Sequence, residues 1–134
     1  MRFAMGFSVA SLSLLFSTGS AFAHHSFAAQ YDSGKLTQFA GTVTKVEWTN
    51  PHARFYVDVK DPQGGVSNWN FELGPPLNLR RLGWKQDSLK IGDQVRVEGY
   101  LARDGSKMAN ARTVTLADGR HVFAGSSADG NSTR

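Results

Sequence analysis

The chain has 134 residues, 40% of them hydrophobic, enough for one domain with a small core and too few for a second. It contains no cysteine, which excludes disulfides, thiol chemistry and thiolate metal sites, so stability must come from burial alone. A formal net charge of +4, spread over scattered Lys and Arg with no block of like charge, argues against a dedicated nucleic-acid or membrane surface.

Residues 1–23 read as a secretory signal peptide: Arg2 precedes an apolar run from Phe7 to Phe16, and Ala21-Phe22-Ala23 offers the small residues a signal peptidase reads. The run is too short, and too rich in Ser and Gly, to be a membrane anchor. The expected location is periplasmic or secreted, with a mature chain that starts at His24. Residues 24–36, carrying His24, His25, Phe27 and Tyr31, have no helical or strand period and read as an extended arm, pinned by Phe27 and Tyr31 and closed by a turn at Asp32-Ser33-Gly34.

A barrel-sized run of short strands occupies 37–125. The first strand changes phase between Thr44 and Lys45, which predicts a bulge or bend, and it delivers Trp48 to a corner made by Asn50-Pro51. Beyond the corner, Ala53, Phe55, Val57 and Val59 point one way and Arg54, Tyr56, Asp58 and Lys60 the other. After the Asp61 to Gly65 turn, Trp69, Phe71 and Leu73 alternate with Asn68, Asn70 and Glu72. Pro76 and Gly83 bracket a short helix, Leu77 to Leu82, that should plug an open end with leucines. Val95, Val97, Gly99 and Leu101 alternate with Gln94, Arg96, Glu98 and Tyr100 in a fourth strand. Ala109 to Leu116 and Arg120 to Ala124 complete the set, and 126–134 reads as a disordered tail. Five to six strands, with one short helix between the third and fourth, is the element order of an all-β, OB-like barrel. Its core should include Val57, Val59, Trp69, Phe71, Val95 and Val97.

The segments His24-His25-Ser26-Phe27, Gly41-Thr42-Val43, Val46 to His52, Phe71-Glu72-Leu73-Gly74 and Gly92-Asp93-Gln94-Val95 resemble an uncharacterised family of exported bacterial proteins, known only as a domain of unknown function. The resemblance runs from His24 to about Gly125 and implies an exported, small β-rich domain. It brings no activity, substrate or cofactor.

Three of the four histidines fall in those motifs. Cleavage after Ala23 gives His24 a free α-amine that closes a chelate with its own ring, and His52 adds a second imidazole; nitrogen ligands of this kind suit Cu(II). Cleavage one residue earlier puts His25 third from the amino terminus, which also chelates Cu(II). Copper is therefore the first metal expected at His24, His25 and His52, with zinc second. The bland reading is a solvated amino-terminal His-His and a corner histidine held by backbone. Trp48 and Asn50 at the corner, with Tyr56 and Tyr100 on the polar phases of their strands, are candidates to contact a polar small molecule, glycan or protein partner in a metal-free module. Catalysis has little support, since Asp58, Glu72 and Glu98 sit on separate wet strand faces and no nucleophile elbow or phosphate loop occurs.

Overall fold

The computed structural model describes residues 27–125, so residues 1–26 and 126–134, with the expected signal peptide, His24, His25 and the tail, lie outside the described residues. Residues 27–30 are helical. The strands are β1 (Tyr31–Glu47), β2 (Arg54–Lys60), β3 (Val66–Glu72), β4 (Gln94–Ala102), β5 (Met108–Leu116) and β6 (His121–Phe123), and one helix, α1 (Pro76–Arg81), stands between β3 and β4.

Hydrogen bonding runs in the order β3-β2-β1-β4-β5-β6, and a parallel β3–β5 pairing closes the sheet on itself. The closure uses Asn70, Phe71 and Glu72 opposite Met108, Ala109 and Asn110. This is the expected OB-like barrel. Closing the sheet covers edges that would otherwise offer unpaired backbone.

β1 pairs with both β2 and β4, so it must bend, and its register slips between Val43 and Lys45 where the alternation changes phase. Gly41 lies opposite both Val59 and Val95, and a side chain there would run into the Asp58 carbonyl. Inside the barrel, Ala53, Phe55, Val57, Phe71, Val97 and Val114 are buried, and Val59 and Trp69 pack against them while partly exposed. Phe55 stacks on Phe71 at 5.2 Å between ring centroids, and Phe39 meets Phe71 edge-on at 5.1 Å. These offset geometries suit the ring quadrupoles better than a face-to-face sandwich.

Two expectations about the ends are corrected. The first strand begins at Tyr31, inside the segment taken for an extended arm, because Tyr31 and Leu36 already pair with Ala102 and Tyr100 across an irregularity. The Asp32-Ser33-Gly34 turn survives as that irregularity, with the Gly34 amide donating to Asp32 Oδ1 at 3.0 Å. The helix starts and stops where Pro76 and Gly83 place it, Gly83 taking a φ of +94°. Of its leucines, however, only Leu79 is buried, while Leu77 and Leu82 are exposed. Six residues present one narrow face, so the plug is made up by Trp84 and Leu89 from the following loop.

Candidate functional site

Phe27, Tyr31, Tyr100 and Ala102 form a second buried cluster, separate from the barrel core, with Met108 against it. All of these lie on the outer side of the wall, since their neighbours Ala109 and Leu101 face the core. The start of the described chain therefore lies across the outside of the barrel, over β4 and β5. It is held there by the Arg103 amide donating to the Gln30 carbonyl (2.9 Å) and by Arg103 Nε donating to the Ala28 carbonyl (2.8 Å). Phe27 packs at 5.6 Å on Tyr31 and at 5.6 Å edge-on to Tyr100.

Beneath this segment sits Glu72. By alternation it belongs on the wet face of β3, yet it is buried, because the outer face is covered there. Its carboxylate is well supplied with donors. Oε2 accepts from Arg54 Nη2 at 2.7 Å and from the Tyr31 hydroxyl at 3.1 Å, and Oε1 accepts from Asn110 Nδ2 at 3.2 Å. Arg54 stands directly opposite Glu72 in the β2–β3 register, so the pair follows from the hairpin. Such charge-assisted bonds are what a buried carboxylate requires. Burial, followed by the Glu72 charge and hydrogen bond, pushes the Tyr31 hydroxyl well above the ordinary tyrosine range, and Arg54 opposes the shift.

His52, at the end of the corner, brings Nδ1 to 3.5 Å from Glu72 Oε1, with its side chain 43% exposed. The corner itself carries a cis Asn50–Pro51 peptide. Tyr31, next to Phe27 in the second cluster, and His52, at the end of the Trp-Thr-Asn-Pro-His motif, thus meet at one carboxylate.

The candidate contact residues do not form one platform. Tyr100 is buried, with Phe27 on its ring, and has no open face for a ligand. Tyr56 is half-buried on the outer face of β2; Lys45 Nζ lies 5.1 Å from its ring centroid, and its hydroxyl donates to Glu47 Oε2 at 3.4 Å. Asn50 is exposed. Trp48 packs against the barrel core, and its indole Nε1 is buried with no acceptor among the described residues. No group of three or more His, Asp or Glu able to hold a metal occurs among the described residues. His24 and His25 lie outside them. His121, in β6, shares a 3.0 Å hydrogen bond with Thr115.

Residues 12–111 match the model of DUF6152, described as a family of unknown function. The chain belongs to that family. The DUF6152 match takes in β1 to β4, α1, the Glu72 network and the His52 corner. No curated protein matches the chain. Among solved structures, it is similar to the crystal structure of Rim1, a mitochondrial single-stranded DNA binding protein from S. cerevisiae, at 15% identity and a TM-score of 0.48, covering 64% of this chain and 97% of that one.

Proposed function

We propose that this DUF6152 protein is an exported binding module, periplasmic or secreted, that holds Cu(II) between its mature amino terminus and the His52 corner. The observation that carries the reading is the anchoring of Phe27. It follows His24 and His25 by three and two residues, so a chain of about 3.5 Å per residue keeps both α-carbons within about 11 Å of its own. Phe27 packs on Tyr31, whose hydroxyl reaches the carboxylate that also faces His52. His52 lies at the end of a rigid corner, and a ligand fixed before binding loses little freedom when the metal arrives. Removal of residues 1–23 frees the α-amine of His24, which with its ring closes a chelate; nitrogen donors favour copper over the other divalent first-row metals. Zinc is the second metal.

The test is calorimetry with Cu(II) on protein carrying its native amino terminus, beside the same protein with one extra residue before His24. The extension turns the amine into an amide and should weaken binding by at least about tenfold, or 1.4 kcal/mol. Binding should also weaken as pH falls through the range in which imidazoles and amines take up protons. Absence of copper binding at micromolar protein overturns the reading. A metal-free module for a polar small molecule, glycan or protein then takes its place, the reading that the unpaired indole donor of Trp48 favours.

A further inference from the structure

We propose that Met108 is a modification site: a two-electron oxidant of the peroxide class converts its thioether to the sulfoxide and so loosens the segment that lies across the outside of the barrel. The chain has no cysteine and three methionines, of which Met1 and Met5 fall in the expected signal peptide, so Met108 carries the one sulfur beyond them. Its side chain is half-buried at the start of β5 and packs against the cluster of Phe27, Tyr31, Tyr100 and Ala102. A sulfur in that position is within reach of a small oxidant carried by solvent. It also touches the apolar contacts that dock the segment.

The polar surroundings of the sulfur suit the product. Arg54 Nη1 lies 3.6 Å from Met108 Sδ and 3.4 Å from Asn70 Oδ1, both long contacts, while Nη2 makes the short 2.7 Å bond to Glu72 Oε2. A thioether is a weak acceptor, so Nη1 has no strong partner while Met108 is reduced. In the reaction a sulfur lone pair attacks one peroxide oxygen. The S–O bond forms as the O–O bond breaks, sulfur is oxidised by two electrons, and the departing hydroxide takes the proton of the transferred hydroxyl and leaves as water. The sulfoxide oxygen is then a strong acceptor beside a charged donor, and Nη1 can serve it while Nη2 stays with Glu72. The barrel wall therefore accommodates the oxidised side chain. The outer cluster does not, because the apolar contact that Met108 makes with it becomes polar and bulkier.

The experiment is hydrogen peroxide treatment of the protein beginning at His24, with free methionine in the same tube as the rate reference, read by mass spectrometry and then by amide hydrogen exchange. Met108 should gain about 16 Da, one oxygen, at a rate within about tenfold of free methionine. Protection at the Arg103 amide, which donates to the Gln30 carbonyl, should fall by about tenfold, with the Val43 amide staying within about twofold of its value before oxidation. Met108→Leu keeps the apolar contact and much the same volume, so it should dock the segment as the wild type does and not respond to peroxide. Oxidation of Met108 more than about tenfold slower than that of free methionine overturns the site. Unchanged protection at Arg103 in the sulfoxide, equal losses at Arg103 and Val43, or the same loss in peroxide-treated Met108→Leu overturns the loosening. If Met108→Leu does not fold, the two amides of the oxidised wild type decide.

Discussion

Replacing Phe27 by Ala should undock the beginning of the chain while leaving the barrel closed. Phe27 is 7% exposed. Removing its ring returns about 150 Å² of apolar surface to water, about 3–4 kcal/mol as an upper value at ~25 cal/mol per Å². The loss falls on a cluster of four buried side chains that shares no member with the barrel core, so it should appear first as local opening. Amide hydrogen exchange separates the two cases. The Arg103 amide, which donates to the Gln30 carbonyl at 2.9 Å, reports on docking, and the Val43 amide, which donates to the Asp93 carbonyl at 2.9 Å, reports on the barrel. Protection at Arg103 should fall by about a hundredfold, the equivalent of close to 3 kcal/mol, with Val43 changing far less. Equal losses at both amides would refute the separation of the two clusters, and no loss at Arg103 would refute the anchoring role of Phe27.

Gly41→Ala should destabilise the whole domain by about 3 kcal/mol or more in urea unfolding, because the added methyl meets the Asp58 backbone where β1 serves two partners; a loss below about 1 kcal/mol would contradict the close approach. Tyr31 keeps its proton to a higher pH when folded than when unfolded, so its contribution to stability is complete below about pH 10 and is lost as pH rises above that value. Tyr31→Phe should flatten the alkaline fall in stability, and an unchanged slope between about pH 9 and 11 would refute the assignment. Ser67 donates to Asp61 and accepts from Lys107 across the barrel seam, and Ser67→Ala should cost about 1 kcal/mol in the same assay.

Alternation made the barrel legible. Phe55, Val57, Phe71, Val95 and Val97 are buried as their phases predict, and the bulge falls at the change of phase after Val43. The site was harder to read, for a physical reason. A period of two tells which side of the barrel wall a residue faces, and says nothing of a segment folded over the outside. Glu72 and Tyr100 follow the polar phase and are buried, because Phe27 and Tyr31 cover them. One signal was available: counting the hairpin back from the Asp61 to Gly65 turn sets Lys60 opposite Val66 and hence Arg54 opposite Glu72, a charge pair beside His52. Nothing in the local pattern brings Tyr31 to that pair.

The most direct test of the account is whether the amino terminus and His52 hold the same ion. Copper calorimetry on four proteins forms a double-mutant cycle: native amino terminus, one residue added before His24, His52→Ala, and both changes together. A shared ion predicts that each change alone weakens binding by about tenfold or more, and that the double variant falls short of the product of the two losses, the site already being broken by the first. Losses that multiply, or a His52→Ala protein that binds copper as the wild type does, would contradict convergence of the two motifs on one metal.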